Sequence, residues 1–185
     1  MSFCKAQGSR VMIKIETPID KKTVEKLKVG DMVLINGYVY TARDAAHKKL
    51  VELIENKAPL PIPLEGQIIY YAGPTPAPPN RVIGSAGPTT SSRMDPYTPL
   101  LLSLGLKGMI GKGQRSDEVK KAIKKFKAVY FLATGGAGAL LSKHIISVEE
   151  VTFLELGPES IKRLLLKDFP VIVAVDCHCG DIFKK

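Results

Sequence analysis

Short runs of β-branched and apolar residues alternate with amphipathic helical stretches along this chain, and the alternation limits the possible folds more than any other feature. Residues 12–16 alternate apolar and polar side chains, and residues 129–133 form a short apolar run, so both segments predict strands. Between such runs, apolar residues recur at helical spacing, which predicts a helix over about residues 42–56. Strands that alternate with helices indicate an α/β fold.

The same reasoning assigns the rest of the chain. The apolar run 32–40 contains Asn36-Gly37, the preferred dipeptide of a type I′ turn, so we expect two strands joined there by a tight hairpin. The other predicted strands are 67–71, 107–110, 148–155 and 170–175, and the other predicted helices are 23–27, 95–104, 135–143 and 158–168, with a lysine-rich helix after residue 116.

Three helix starts carry capping signals. Thr41 stands three residues before Asp44, which is the spacing of a capping box with Asp in place of the usual Glu. Asp95 and Pro96 suit the N-cap and first position of a helix. Ser116 is expected to cap the lysine-rich helix.

Length and composition indicate an ordinary globular protein. A chain of 185 residues with 45% hydrophobic residues can bury a core of its own, so we expect a single domain over residues 1–185. Seven of the 13 prolines lie in residues 58–79, which predicts ordered loop and strand edge there. No apolar run approaches about 18 residues, and the first ten residues lack the apolar core of a secretory signal. With three cysteines that suit a reducing compartment, the expectation is a cytoplasmic protein that does not enter a membrane.

The formal net charge is +9, which permits nucleic acid, an anionic surface or a small anionic substrate as the partner. An aromatic content of 6% without Trp argues against base-stacking platforms, and we expect no nucleic-acid partner. Asp117 and Glu118 precede the lysine-rich segment, an order that complements a helix dipole and indicates a solvated helix face. A basic RNA- or polyanion-binding protein remains the alternative from another class. The lysines concerned are Lys120, Lys121, Lys124, Lys125 and Lys127.

Two partial nucleotide-binding motifs do not meet their requirements. Residues 135–138 read Gly-Gly-Ala-Gly after a predicted strand, but a dinucleotide fingerprint needs Gly at position 141, where the chain has Leu141. A Walker A loop around residue 112 would need other residues than Leu106 and Gly113. A close helix–strand crossing explains the glycines equally well.

Cys177-His178-Cys179 could in principle bind zinc or iron through two thiolates and an imidazole. Cys4 is the only other thiol in the chain, and a second ligand group is missing from the sequence. We therefore expect a strand-end turn with free thiols and no metal site in this chain.

The segment 84–93 is the strongest candidate for ligand binding. Its small residues let the backbone approach a ligand, and four consecutive hydroxyl side chains followed by Arg93 supply donors with little bulk. Arg43 at the start of a predicted helix and Lys112 between two glycines add two cations beside strand ends. Together they predict a site for a small carboxylate or phosphate. His47 shares the helix of Arg43, and we expect it to pack in the interior.

Three segments carry a resemblance to a known family. Residues 87–95 read Gly-Pro-Thr-Thr-Ser-Ser-Arg-Met-Asp, residues 111–113 read Gly-Lys-Gly, and residues 41–47 read Thr-Ala-Arg-Asp-Ala-Ala-His. With them the chain resembles the β subunit of class I fumarate hydratase and L-tartrate dehydratase. The likeness covers nearly the whole chain and is strongest over 36–47 and 84–113.

The resemblance implies a swivelling β/β/α-type domain, that is, an α/β fold with a mixed sheet or small barrel flanked by helices. It implies that Arg43, Arg93 and Lys112 bind the carboxylates of the substrate. It also implies that Thr89 and Thr90 are catalytic and lie at the reacting carbons, one of them as part of the group that abstracts the proton.

The resemblance further implies a hydro-lyase that interconverts fumarate and (S)-malate, a reaction of the tricarboxylic acid cycle, with L-tartrate dehydration as the alternative. Its [4Fe–4S] cluster would be held by a partner α subunit and not by this chain, in an assembly expected to be a heterotetramer. The substrate would be a C4 dicarboxylate. Around 176–181 the family more usually shows acidic and glycine residues, so Cys177, His178 and Cys179 leave a local metal or redox role open.

The chemistry agrees with those implied roles. Dehydration of malate removes a proton from a carbon next to a carboxylate, and this needs the developing negative charge to be neutralised. Arginines can bind a carboxylate through two hydrogen bonds and stabilise that charge. An iron with an open position would act as a Lewis acid on the leaving hydroxyl. A threonine is a weak base unless a neighbouring group activates it.

Overall fold

The computed structural model describes residues 12–134 and 136–184. Cys4 and Gly135, which entered the sequence interpretation, lie outside these residues. The strands are β1 (Ile13–Glu16), β2 (Met32–Thr41), β3 (Ile68–Tyr70), β4 (Gly108–Gly111), β5 (Val129–Leu132), β6 (Ile145–Thr152) and β7 (Ile161–Val175). The helices are α1 (Lys21–Lys26), α2 (Asp44–Glu55), α3 (Thr98–Ser103), α4 (Asp117–Phe126) and α5 (Gly138–Leu141), with 3-10 turns at Ser91–Met94, Ser142–His144 and Leu154–Glu159.

Strands β2, β3, β4, β5 and β7 close into a five-stranded barrel. Strands β2 to β5 are parallel neighbours in chain order, and β7 closes the barrel by pairing antiparallel with both β5 and β2. Strand β1 extends the sheet parallel to β2, and β6 extends it antiparallel to β7. This mixed, closed sheet with flanking helices confirms the predicted α/β fold.

Two separate apolar clusters explain why the chain adopts this arrangement. Inside the barrel, alternate residues of each strand meet, for example Ile68 and Tyr70 of β3 with Phe131 of β5. On the outside, the intervening residues such as Ile69 and Tyr130 pack against the helices. Successive residues of a strand point to opposite faces of the sheet. Because both faces of the barrel wall are buried, one set of residues fills the inner cluster and the other set fills the outer cluster.

The predicted helix 158–168 is wrong. Residues 161–175 form one 15-residue strand, β7, that continues through Pro170. Ile161, Leu164 and Leu165 have the spacing of a helix face, but Leu164 and Leu166 point into the barrel while Ile161 belongs to the outer cluster. Pairing with β2 on one side and with β6 on the other determined the structure here, and this tertiary effect outweighed the local pattern.

The predicted hairpin at Asn36-Gly37 is also wrong, because β2 runs without a turn from Met32 to Thr41. Gly37 has a φ of +94° and produces an irregularity in the pairing with β7. A Cβ atom there would lie 2.5 Å from Thr17 Oγ1, so the glycine serves a β-bulge and a close contact. Asn36 accepts a hydrogen bond from the Asp168 amide through Oδ1.

The remaining elements agree with prediction to within a few residues. Ser116 caps α4 as expected, its hydroxyl accepting from the Val119 amide. Within residues 12–134 and 136–184, no helix is long and apolar enough to cross a membrane.

Candidate active site

The candidate residues lie beyond the carboxyl ends of three neighbouring parallel strands. Arg43 follows β2, and Lys112 follows β4 directly. Between them, the hydroxyl-rich segment meets the end of β3, where the Thr89 amide donates to the Tyr71 carbonyl at 2.7 Å. Since the carboxyl ends of parallel strands meet at one edge of a sheet, residues from three distant segments come together there.

Ser91 joins the hydroxyl-rich segment to β4. Thr90 pairs with Lys112 in a short parallel bridge, and the Ser91 amide donates to the Lys112 carbonyl at 3.0 Å. In return, the Lys112 amide donates to Ser91 Oγ at 3.1 Å. A Cβ atom on Gly111 would lie 1.9 Å from Ser91 Oγ, so only glycine permits this approach. The backbones of Thr90 and Lys112 are thereby fixed next to each other.

Arg43 and Arg93 meet at one carboxylate. Nη2 of Arg93 donates to Asp44 Oδ2 at 2.6 Å, and Arg43 Nε lies 3.9 Å from Asp44 Oδ1. Burial disfavours the ionised form of Asp44, but hydrogen bonds from its own backbone and from Arg93 outweigh it and lower the pKa of this carboxyl. Asp44 is therefore charged at neutral pH and holds two guanidinium groups within one small region.

Helix α2 begins in a different way from the predicted capping box. Thr41 is the last residue of β2, and its hydroxyl accepts from the Lys162 amide. Glu159 caps the helix instead, because its Oε2 accepts from the Ala45 amide while its Oε1 lies 3.1 Å from Nη2 of Arg43. The capping prediction at Thr41 is wrong, since the glutamate that fulfils this role lies more than a hundred residues away in sequence.

Two polar atoms near this carboxylate have no hydrogen-bond partner among the described residues. They are Arg43 Nε and Asp44 Oδ1, and both are buried. Gly73 packs against the Arg43 side chain, where a Cβ atom would lie 2.9 Å from Nη1. Arg43 Nε and Asp44 Oδ1 face each other at 3.9 Å, an ion pair that is too long for a hydrogen bond.

The predicted site residues fall into two pairs. Arg43 and Arg93 share Asp44, and Thr90 and Lys112 share a backbone bridge. Thr89 is half-buried, whereas Thr90, Arg93 and Lys112 are exposed. Between the two pairs, no side-chain hydrogen bond or ion pair occurs in the part of the chain that the structure describes. Lys112 also borders a cavity of about 400 Å³ beside β5 and β7.

Arg115 is a buried arginine near the site that the sequence did not predict. The Arg115 side chain is 0% exposed, and its Nε donates to Asp95 Oδ1 at 2.7 Å. Its two terminal nitrogens donate to the Thr98 and Tyr71 hydroxyls at 2.8 and 3.3 Å. Its guanidinium also lies 5.1 Å from the ring centre of Tyr130. Nothing in the local sequence marks Arg115, because its partners are spread over residues 71, 95, 98 and 130.

Asp95 does not cap a helix, contrary to prediction. Helix α3 begins at Thr98 after Tyr97, and Pro99 lies within its first turn. The Asp95 carboxylate accepts from Arg115 and, through Oδ2, from the Ser116 amide at 2.7 Å. Asp95 therefore binds the buried Arg115 side chain and does not cap α3.

His47 packs in the interior, as expected. Its ring lies edge-on to Tyr71 at 5.4 Å, and Nδ1 lies 2.8 Å from the Arg43 carbonyl. Burial lowers the pKa of His47 to about 4, so the imidazole is neutral at physiological pH and Nδ1 donates to that carbonyl.

The three residues of the Cys-His-Cys segment have separate environments. Cys177 is buried with the barrel interior, and burial raises the pKa of its thiol. His178 Nε2 lies 2.9 Å from the Glu25 carbonyl, whereas Cys179 is exposed beside the lysines of α4. Across residues 12–134 and 136–184, no group of three or more His, Cys, Asp or Glu side chains is placed to hold a metal ion.

Some lysines of α4 contact other side chains of this chain. Lys120 forms ion pairs with Asp117 and Asp181 at 3.4 and 3.0 Å, and Lys125 lies over the Phe126 ring. The exposed Lys124 borders a cavity of about 420 Å³ near the end of β7.

The glycine-rich segment after β5 supports the candidate loop by close packing. A Cβ atom on Gly138 would lie 2.8 Å from the Gly87 amide nitrogen, and the Ala86 amide donates to the Gly138 carbonyl. A close backbone contact therefore accounts for the glycine at position 138 of the Gly-Gly-Ala-Gly motif.

The chain matches the family described as the fumarase C-terminus over residues 3–185. It belongs to this family. The barrel, the hydroxyl-rich segment and the two arginines at Asp44 are thus features of a fumarase C-terminal domain.

Proteins similar to this chain differ in how much of their own length it covers. A protein of Methanocaldococcus jannaschii named "Putative L(+)-tartrate dehydratase subunit beta" is 42% identical over 173 residues, which cover 90% of this chain and 89% of that protein. Fumarate hydratase 2 of Leishmania major is 39% identical over 95% of this chain but only 32% of its own length. The aerobic class I fumarate hydratase of Escherichia coli is 36% identical over 97% of this chain and 33% of its own length. This chain thus spans about a third of those fumarate hydratases.

Proposed function

We propose that this chain, residues 1–185, is the single-domain β subunit of a [4Fe–4S]-dependent hydro-lyase that hydrates fumarate reversibly to (S)-malate. The observation that carries the proposal is the meeting of Arg43 and Arg93 at Asp44, beside the bridge between Thr90 and Lys112. The names of its relatives, which are hydratases and a dehydratase subunit, support the same reaction class.

Arg43 and Arg93 bind the carboxylates of the substrate. Each guanidinium has more donors than Asp44 and Glu159 use, and the Arg93 side chain is 47% exposed. A substrate carboxylate can therefore add to these arginines without breaking the contacts that hold them. Positioned arginines bind planar carboxylates through two parallel hydrogen bonds, which also fixes their orientation.

Asp44 keeps the two cations together before the substrate arrives. Two guanidinium groups repel each other, and a carboxylate between them offsets that repulsion. The arginines are then already in place when negative charge develops on the substrate carboxylate next to the reacting carbon, which is the condition for stabilising a transition state.

We propose that the Thr89 and Thr90 hydroxyls approach the reacting carbon of a substrate bound by the arginines and Lys112. Among residues 12–134 and 136–184, their hydroxyls have no side-chain partner that could activate them as a base. We propose that the proton-abstracting group includes one of these hydroxyls and a residue of the partner subunit.

The described residues of this chain do not form a site for a [4Fe–4S] cluster, and the cluster is assigned here to the partner α subunit. Bound there, it would supply a Lewis acid for the leaving hydroxyl. The assembly proposed is a heterotetramer in the cytoplasm.

L-tartrate dehydration is the second candidate activity. It is favoured by the relative from Methanocaldococcus jannaschii, which is named a putative tartrate dehydratase subunit and is 42% identical to this chain. Tartrate differs from malate by one hydroxyl, so the same arginines would bind both dicarboxylates.

Anaerobic co-expression with the candidate partner subunit tests the proposal. The purified complex is assayed with fumarate, (S)-malate and L-tartrate, and the expected result is turnover of fumarate and malate. Turnover of tartrate alone would select the second candidate. A complex with a full cluster that turns over none of the three would refute both.

A further inference from the structure

We propose that Tyr130 is a positioning residue, whose hydroxyl fixes Ser91 and through it the pairing of Thr90 with Lys112. The inference rests on the proposed function, because it assigns Tyr130 to the geometry of that same site. Tyr130 lies in β5 and its side chain is fully buried, so we assign it no direct contact with the substrate.

The Tyr130 hydroxyl lies 2.9 Å from Ser91 Oγ and 2.8 Å from the Gly113 carbonyl oxygen. A phenol has one proton, and a carbonyl can only accept, so this proton goes to Gly113. The Ser91 hydroxyl then donates to the Tyr130 oxygen, while its own oxygen accepts from the Lys112 amide. The bonds form a continuous chain from the Lys112 amide to the Gly113 carbonyl, in which every proton is used once.

This chain of hydrogen bonds encloses the peptide segment on which Lys112 lies. One end holds the amide of Lys112 and the other holds the carbonyl of Gly113. Ser91 also donates its own amide to the Lys112 carbonyl. A shift of Ser91 would therefore move Lys112 and, through the neighbouring peptide, Thr90 as well.

The surroundings of Tyr130 hold its hydroxyl in place. The side chain is fully buried, and the Arg115 guanidinium lies 5.1 Å from its ring centre. Arg115 is in turn fixed by Asp95 and Thr98. Burial raises the pKa of the Tyr130 hydroxyl above its ordinary value, so it remains a protonated donor at the pH of the reaction.

The opposite side of Ser91 leaves little space for movement. Gly111 approaches Ser91 so closely that a single added carbon would lie 1.9 Å from Oγ. Ser91 is thus held between Gly111 and the Tyr130 hydroxyl. Small displacements of reacting groups can cost about a hundredfold in rate, so this fixation bears on catalysis.

Tyr130→Phe tests the inference, because it removes only the hydroxyl and keeps the ring against Arg115. In the complex with the partner subunit, we expect kcat to fall about ten- to a hundredfold while KM changes less than about threefold. Ser91→Ala should give a similar loss. The double variant should lose little more than either single one, because both substitutions break the same contact.

Tyr70→Phe is the matched control. It removes an equally buried hydroxyl, which donates to the Ala86 carbonyl of the same segment 84–93 but does not contact Ser91 or Lys112. The control therefore separates the bond to Ser91 from general anchoring of the segment. We expect its kcat to stay within about threefold of the wild type. An equal loss in Tyr70→Phe would overturn the inference, since any buried hydroxyl would then matter as much.

A measurement without turnover separates this inference from the proposed function. Amide hydrogen exchange of the full chain should be at least about tenfold faster at Ser91 and Lys112 in Tyr130→Phe and unchanged in Tyr70→Phe. Unchanged exchange in Tyr130→Phe would overturn the inference even in an active enzyme. If the wild-type complex is inactive on all three dicarboxylates, the proposed function fails, and exchange alone decides whether Tyr130 fixes Ser91. Faster exchange with unchanged kcat would also overturn the positioning role.

Discussion

Nη2 of Arg93 lies 2.6 Å from Oδ2 of Asp44, although the two residues are 49 positions apart in sequence. This contact connects the loop after β3 to the first turn of α2. The Arg93 side chain is still 47% exposed, so its remaining donors are accessible to a ligand. Asp44 therefore orients a cation that can still bind substrate.

Arg93→Lys should lower kcat and kcat/KM together by about a hundredfold and leave assembly intact. Lysine keeps the charge but loses the planar fork, so it can neither bind a carboxylate through two bonds nor keep the same contact with Asp44. Steady-state kinetics of the complex and its elution volume in size-exclusion chromatography measure the two effects.

Arg163→Lys is the matched control for this substitution. Arg163 also contacts a carboxylate, that of Glu149, but this contact joins β7 to β6, the strand outside the barrel. Its kinetics should match the wild type. A rise in KM alone for Arg93→Lys would limit Arg93 to binding, and unchanged kinetics would remove it from the site.

Gly111→Ala should destabilise the protein by about 2 kcal/mol or more, because the added carbon overlaps Ser91 Oγ. Gly87→Ala serves as the comparison, since a Cβ atom there would lie 3.5 Å from its nearest neighbour. Neither glycine has a positive φ, so the pair isolates the steric effect. Urea unfolding followed by circular dichroism gives both values, and equal stabilities would contradict the close contact.

His47 should make the free energy of unfolding depend on pH in the mildly acidic range. Its pKa is about 4 in the folded state and 6.5 in the unfolded state, so the unfolded chain binds the proton more readily. Stability should therefore fall as the pH decreases from about 6.5 towards 4, by about 2 kcal/mol between pH 7 and pH 5.

Urea titrations at several pH values measure this dependence. His47→Asn keeps a donor for the Arg43 carbonyl and should flatten the curve between pH 7 and pH 5. His144→Gln, at a partly exposed position, should leave it unchanged. A curve that is as steep in His47→Asn as in the wild type would assign the effect to another group.

The two thiols near the end of β7 should react differently. A thiol reagent followed by peptide mapping should modify Cys179 in the folded protein and Cys177 only after unfolding, because Cys177 is buried.

Replacing both Cys177 and Cys179 by serine should leave turnover of the assembled enzyme within a few fold. A loss of two or more orders of magnitude would place these thiols in the site.

The isolated chain should not assemble an iron–sulfur cluster. The side chains of Cys177 and Cys179 lie in different environments, one in the barrel interior and one at the surface. Anaerobic reconstitution followed by iron and sulfide analysis should give far less than one cluster per chain. A stable, stoichiometric cluster would contradict this expectation.

Local patterns predicted those parts of the fold whose environment repeats along the sequence. The cap at Ser116 and the alternation in β1 depend on neighbours within a few residues, and the structure agrees with both. At Gly37 and in residues 161–168 the partner strand decides the structure. A sequence pattern does not contain that information, since a bulge and a hairpin use the same Asn-Gly dipeptide.

For the candidate site too, the sequence predicted residues with a local pattern and missed residues whose contacts are distant in sequence. The four hydroxyls and Arg93 of residues 84–93 were recognisable because they follow small residues that let a backbone approach a ligand. Arg115, Tyr130 and Glu159 were not, because each acts through residues distant in sequence. A buried arginine next to a cap residue looks like any surface arginine until its partners are known.

The pairing of β2 with β7 has a consequence for how the protein is made. Asp168 and Asn36 are 132 residues apart, yet their contact belongs to the seam that closes the barrel. During synthesis, β2 to β5 emerge with two unpaired sheet edges and stay so until β7 leaves the ribosome. Such long-range closure slows folding and makes the incomplete chain prone to associate with other chains. Until β7 is complete, the edges of β2 and β5 that it will cover can pair with strands of other chains.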